Sequence, residues 1–156
     1  MSTSTARLPF IDSHSLAVDA PPERVWDAIA SLLPRLFSGP GGPLFARLVG
    51  CTETGRPPAG PGLPASIVGF RVAEAVRPSV VVLQGEHRFS RYELRFVVEP
   101  GCVRAETRAA FPGLTGRVYR ALVIGTGVHV VAVRRLLGAV RRASEQGSGN
   151  GVDGLG

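Results

Sequence analysis

The sequence has no lysine: all 18 of its basic residues are arginine, against 12 acidic ones, giving a net charge of +6. Such a balance can mark phosphate neutralisation by a nucleic-acid binder. The arginines are spread from Arg7 to Arg142, however, and the one dense group (Arg134, Arg135, Arg141, Arg142) sits near an expected helix C-terminus, where cations suit the dipole. Nucleic acid is therefore the disfavoured partner. Cysteine is scarce. Cys51 and Cys102 are far apart, form no CxxC motif and have no nearby histidine, so no zinc spacing exists. A single disulfide between them would call for a secretory leader, and Met1 to Pro9 carries no apolar stretch of that kind. Long hydrophobic runs are also missing. The longest, Ala121 to Val133, is too short for a membrane span, which needs about 20 residues. These absences point to a cytoplasmic protein without a bound metal or cofactor.

Signature motifs are missing too. No GxGxxG follows a strand, there is no P-loop, and no GxSxG elbow appears. The GTG at 125–127 falls within an expected helix, where it cannot cradle phosphate. His14, His87 and His129 are not at metal-ligand spacing.

What is present is a chain of 156 residues with 44% hydrophobic and 19% charged residues, a composition that buries a core and excludes wholesale disorder. Its 20 glycines and 13 prolines exclude a coiled coil. One domain over 10–144 is expected, with a loose segment at 1–9 and a Gly/Ser-rich tail at 145–156. GPGGP at 39–43 and GRPPAGPGLP at 55–64 read as loops.

Phe10 to Val18 reads as a strand, with Phe10, Asp12, His14, Leu16 and Val18 on one face. A helix follows. Pro22 suits its first turn, Glu23 its positive end, and Val25, Ile29 and Leu32 make an apolar stripe. Pro34 stops or kinks it, a short second piece begins at Arg35 to Phe37, and a weak strand lies at Arg47 to Thr52. Four runs rich in β formers fill the centre: Ile67–Ala75, Val80–His87, Ser90–Glu99 and Cys102–Phe111.

The register of these strands can be derived. Pro100-Gly101 is a two-residue turn, so Glu99 faces Cys102, Arg95 faces Glu106 and Glu93 faces Arg108. Both charge pairs then fall on the solvent face, and a slip of one residue would destroy them. Leu94 is placed opposite Thr107, Phe96 opposite Ala105 and Tyr92 opposite Ala109. A turn at Arg88-Phe89 pairs Glu86 with Arg91, Gly85 with Tyr92 and Leu83 with Leu94. The inward face therefore carries Val81, Leu83, Gly85 and His87, then Ser90, Tyr92, Leu94, Phe96 and Val98, then Val103, Ala105, Thr107, Ala109 and Phe111. Phe70 and Val72 join it. After FPGLTG, one long helix is expected from about Arg117 to Ala143, buried on more than one side because it is apolar nearly all round. Gly125 and Gly127 within it imply close packing, a kink or a ligand lying over it.

Three passages carry a family resemblance. FIDSHSLAVDAPPERVWDAIASL, FRVAEAVRPSVVVLQGEHRFSRYELRFVVEPGCVRAETRAAF and GRVYRALVIGTGVHVVAVRRLLGAVRR resemble the opening strand and helix, the last strands and the terminal helix of the START-related helix-grip superfamily. That superfamily, also called SRPBCC, includes polyketide cyclases and lipid-binding proteins. The resemblance covers about 10–144 and departs in the Pro/Gly-rich region 38–66. It implies an α+β helix-grip fold, in which a curved antiparallel sheet wraps around a long C-terminal helix and two short helices follow the first strand. It also implies a hollow that takes a hydrophobic small molecule: a lipid, a polyketide or a ring-containing ligand. The lining would come from Phe70, Val72, Leu83, Gly85, Tyr92, Leu94, Phe96, Ala105, Thr107, Ala109 and Phe111 of the sheet. Leu122, Gly125, Thr126 and His129 would add the helix side.

Two kinds of activity fit that hollow: simple binding, or a cyclase/aromatase-like reaction in which Tyr92 and His129 move protons. For each residue the bland reading is the stronger one. A core tyrosine usually satisfies its hydroxyl locally, and His129 has no sequence-near carboxylate to orient it. Tyr119 and Thr126 are weaker candidates. Asp12 and His14 could form an acid–base pair if their face points inward, but an edge strand would leave both wet. His87, beside a turn, reads as exposed. A homodimer is left open.

Overall fold

A computed structural model describes residues 7–37 and 62–146. The expected strand at 47–52, the loop at 39–43, most of the loop at 55–64, Cys51 and the ends at 1–6 and 147–156 lie outside the described residues, while 145–146 close the C-terminal helix and do not begin the tail. Cys102 carries a free thiol.

The chain begins with β1 (Phe10–Ala17) and α1 (Pro22–Phe37). After the undescribed stretch come β2 (Ser66–Ile67), β3 (Phe70–Val76), β4 (Val80–His87), β5 (Ser90–Glu99) and β6 (Cys102–Ala110). Two helices close the chain, α2 (Gly113–Val123) and α3 (Val128–Gln146). The six strands form one antiparallel sheet in the order β1-β6-β5-β4-β3-β2. α1 and α3 pack against each other and on the same face of the sheet. This is the α+β helix-grip architecture.

α1 starts on Pro22, whose missing N–H would be unsatisfied at that position anyway. Its Val25, Trp26, Ile29 and Leu33 are buried in the core. Pro34 lies inside the helix, which continues to Phe37, so no separate piece begins at Arg35. A proline this late in a helix forfeits a single backbone bond. α3 answers with Val133, Leu136, Leu137 and Val140, the i, i+3, i+4, i+7 stripe of an amphipathic helix.

The derived register is observed throughout both central hairpins: Glu99↔Cys102, Arg95↔Glu106, Glu93↔Arg108, Tyr92↔Ala109, Glu86↔Arg91 and Gly85↔Tyr92 are all partners. The solvent-face charges also reach beyond those pairs. Arg104 is 3.3 Å from Glu106, and Arg95 lies 4.0 Å from Glu74 on β3.

Four expectations need correction. First, 67–75 is not one strand. Gly69, at φ +84°, turns the chain between β2 and β3. Second, β1 carries a bulge between Phe10 and Asp12. Phe10 pairs with Arg108 and the guanidinium stacks over its ring at 5.6 Å, so Phe10 joins the outer face. Asp12 pairs with Thr107 and points inward. Third, the C-terminal helix is broken at 124–127, where Gly127 adopts φ +72°. GTG therefore lies in the break and not inside a helix. Fourth, the apolar run around that break is not buried: Ala121, Leu122, Val131 and Ala132 are all exposed.

Candidate functional site

The inner face of the sheet changes character along the strands. Toward the β5–β6 turn it is sealed: Val81, Phe96, Val98, Val103 and Ala105 are buried beneath α1 and α3. Leu83 and Leu94 continue that core. Toward the β4–β5 turn it opens, and Phe70, Val72, Gly85, His87, Tyr92 and Phe111 are only half-buried. Small residues sit beside the large ones there, Gly85 and Ala109 flanking Tyr92 across the ladders.

Aromatic rings meet at the open end. Phe70 stands edge-on to Tyr92 at 5.0 Å between centroids. His87 lies 5.4 Å from Tyr92 and 4.9 Å from Tyr119 of α2, and Tyr119 stacks on Phe89 at 5.6 Å. Such edge-to-face and offset arrangements suit the ring quadrupoles. His87 is thus part of a packed group, not simply exposed. Its Nδ1 accepts from the Phe89 N–H at 3.1 Å, and its Nε2 lies 3.1 Å from the buried Ser90 hydroxyl. Desolvation by this burial lowers its pKa below the ordinary 6.5. The lowering favours the neutral ring, in keeping with an Nδ1 already used as an acceptor.

Tyr92 spends its hydroxyl on the protein. It donates to the Gly69 carbonyl at 2.6 Å. The ring occupies space that Gly85 leaves free. A Cβ at position 85 would stand 2.5 Å from Tyr92 Cζ and nearer still to Gly69 O.

His129 has the carboxylate that its neighbours in sequence did not provide. From the first turn of α3 its Nε2 lies 3.0 Å from Thr107 Oγ1 and 3.4 Å from Asp12 Oδ1. Asp12 Oδ2 is 3.2 Å from His14 Nε2. One carboxylate thus faces two imidazoles on the inner surface, where all three side chains are at most 20% exposed. Asp12 Oδ1 is buried and makes no well-aligned hydrogen bond among the described residues. The Thr107 hydroxyl, which both donates and accepts, can serve either tautomer of His129 at Nε2. Asp12 shares this face with His14 and Leu16 in the regular ladder to β6, and the β1 bulge turns only Phe10 away from it.

The remaining predicted residues divide clearly. Leu83, Leu94, Phe96, Ala105, Thr107 and Ala109 lie in the buried inner face. Leu122, Gly125 and Thr126 are exposed, and the Thr126 hydroxyl returns to the Leu122 carbonyl at 2.5 Å. Phe89 was not singled out from the sequence. Its only signal was a position in a tight turn between two strands. Among the described residues no group of three His, Cys, Asp or Glu side chains is placed to hold a metal ion, and no helix is long and apolar enough to cross a membrane.

No protein-family model matches the sequence, and no curated protein matches it. Solved structures do resemble it. The di-domain ARO/CYC protein BexL, from the BE-7585A biosynthetic pathway, superposes with a TM-score of 0.51 at 15% identity, over 91% of this chain. The chain spans about half that protein's length, 52%. A conserved protein from Geobacillus kaustophilus gives a TM-score of 0.46 at 14% identity, over 86% of this chain and 94% of its own. A polyketide-cyclase-like protein from Corynebacterium glutamicum gives 0.43 at 12% identity, over 92% and 96%. The sheet order, the helices packed on its inner face and the superposition on BexL agree on one fold, the α+β helix-grip.

Proposed function

We propose that this protein binds a hydrophobic, ring-containing small molecule against the open end of the concave sheet face. The observation that carries the reading is the change in burial along that face. A sheet whose inner side chains are sealed at one end and half-exposed at the other, beneath helices that part at 124–127, offers an apolar concavity. Ligand sites are typically of this kind, apolar with a few placed polar groups. Phe70, Val72 and Tyr92 supply flat and aliphatic surface, Gly85 and Ala109 supply room, and His129 with Thr107 supplies polarity at the inner boundary. Rings that prefer edge-to-face contacts favour a planar or ring-containing guest over a saturated chain.

A second reading has its own support. Asp12 Oδ1 lies 3.4 Å from His129 Nε2, and a carboxylate beside an imidazole is the pairing that proton abstraction next to a ligand carbonyl, as in a cyclase-like reaction, would use. Tyr92 is the poorer participant, because its hydroxyl proton is already donated to Gly69.

Native mass spectrometry of the purified chain, followed by solvent extraction of any adduct, tests the binding reading. An apolar, ring-containing adduct lost on denaturation supports it. A bare chain that also fails to bind a panel of polycyclic aromatic fluorophores refutes it. His129→Asn then separates the two readings. Retained binding with lost turnover of the identified molecule supports the base; unchanged turnover removes His129 from the chemistry.

A further inference from the structure

α2 carries an apolar face that is largely exposed among the described residues. Leu114, Val118 and Leu122 recur every four residues, one above another on the helix, and are 78%, 62% and 62% exposed. The opposite side of α2 is what holds it in place. Tyr119 packs on His87, Phe89 and Phe111, and Gly116 sits so close to the Phe111 and Phe89 backbones that a Cβ there would meet them at 2.7 Å and 3.1 Å. The helix is therefore anchored by one side at the open end of the concave face, with an apolar ridge turned to solvent. Three neighbouring large apolar side chains exposed together on one short helix mark an interaction surface, unlike apolar residues scattered singly.

Charge identifies the partner. From Thr107 to Ser144 the sequence holds seven arginines and no aspartate or glutamate. Two of them, Arg117 and Arg120, flank the ridge along one side, and both are exposed. We propose that α2 is an interfacial helix that docks the protein on an anionic lipid bilayer, inserting Leu114, Val118 and Leu122 while Arg117 and Arg120 meet the headgroups. An amphipathic helix with a basic margin binds in this way, its apolar side sunk to the headgroup boundary. Arginines near the surface add electrostatic attraction to anionic lipid. A two-fold contact between copies would bring the arginines of both α2 helices together with no carboxylate on either to offset them. The ridge is also convex. A fluid bilayer accepts a convex ridge without a matching groove, which a folded partner would have to provide.

Docking would set the open end of the concave face beside the lipid, but the inference does not depend on the ligand reading. Co-sedimentation of the full chain with two vesicle preparations tests it: phosphatidylcholine alone, and phosphatidylcholine with phosphatidylglycerol. Binding to the second but not the first is expected, with release in high salt as screening shortens the range of the charges. The double variant Val118→Asp/Leu122→Asp should lower partitioning about tenfold or more, with an unchanged circular dichroism spectrum and melting temperature. Arg117→Glu/Arg120→Glu should lower it as well. Failure to bind either vesicle overturns the proposal. So does binding that Val118→Asp/Leu122→Asp leaves intact, since the basic surface alone would then explain it. A dimer in solution that Val118→Asp/Leu122→Asp converts to monomer would assign the ridge to a second copy and equally overturn it.

Discussion

Gly85→Ala should destabilise this protein far more than its size suggests. The glycine lies within β4, opposite Tyr92, at a point where two groups converge. An added methyl carbon would stand 2.5 Å from Tyr92 Cζ, and closer to Tyr92 Cε2 and to the Gly69 carbonyl oxygen. Ordinary carbon contacts begin nearly an ångström farther out. In a strand interior, Gly→Ala otherwise gains roughly 0.5–1 kcal/mol of backbone entropy. Against this stand about 1–3 kcal/mol for overpacking and about 1 kcal/mol for the Tyr92–Gly69 hydrogen bond, which cannot survive movement of the ring. The net expectation is a loss of about 2–3 kcal/mol. For a chain of this length that lowers Tm by roughly 4–12 °C. Urea unfolding with an unchanged m-value is the assay, because it isolates stability from changes in the denatured state. Tyr92→Phe alone should cost only about 1 kcal/mol, since it removes the hydroxyl and keeps the ring. In the double variant Gly85→Ala/Tyr92→Ala the total should fall below the sum of the single losses, the ring clash having gone. A Gly85→Ala variant within about 0.5 kcal/mol of wild type would refute the geometry on which the open end of the site is built.

Thr107→Val keeps the shape of the side chain and removes the hydroxyl that lies 3.0 Å from His129 Nε2; urea unfolding should record a loss of about 1–2 kcal/mol, and no loss would mean the contact contributes nothing. Burial lowers the pKa of His87 below the ordinary 6.5 and so favours its neutral ring in the fold. The unfolded chain then binds more protons than the native one below that value, so stability should be flat above pH 6.5 and decline as the pH falls beneath it. His87→Gln should flatten that decline, and an identical pH slope in the variant would show that other groups cause it. Gly127→Ala places a side chain at φ +72° in open space and should cost about 1 kcal/mol from backbone conformation alone. A neutral or stabilising Gly127→Ala in thermal melts would argue that α2 and α3 run as one helix.

Legibility in this sequence followed the range of the interaction. The two central hairpins could be read to the residue because their register is over-determined by neighbours: a Pro-Gly turn, and charge pairs that a slip would bury. The bulge in β1 has no such local mark. It arises because Phe10 goes to the outer face beneath Arg108 while Asp12 turns in beside Thr107, a choice made between two strands that are distant in sequence. The same applies at Tyr92. Gly85 betrayed the space for its ring, but the acceptor for its hydroxyl is created by the Gly69 turn, which disappears if 67–75 is read as a continuous strand. In the C-terminal region the glycines were visible and their consequence was not. A segment that is apolar all round predicts burial only if it stays one rod. The left-handed turn at Gly127 lets α2 leave the core that α3 continues to fill, so the same apolar residues end up facing water.

Both of these long-range events border the candidate site. The bulge turns Phe10 out of the face that Asp12 shares with His14, and the helix break leaves the aromatic end of the sheet without the rod that would have covered it. Each is a local departure from regular structure, and each exposes or aims a group that regular structure would have hidden. This physical logic separates the site from the core beside it. Val81, Phe96, Val103 and Val140 are fully buried because nothing interrupts the strands or the helix around them. Asp12, His129, Tyr92 and Phe70 keep partial access to solvent because a bulge, a turn and a break interrupt theirs. Deleting Ile11 tests how far the irregular backbone matters to the site. It removes the extra residue and leaves Phe10 opposite Arg108 and Asp12 opposite Thr107. The contact between Asp12 and His129 should therefore survive the deletion, and the His129 ring proton shifts should keep their sensitivity to Asp12→Asn. Loss of that sensitivity in the deletion variant would mean that the bulge at Ile11, and not the regular ladder from Asp12 to Ala17, positions the carboxylate.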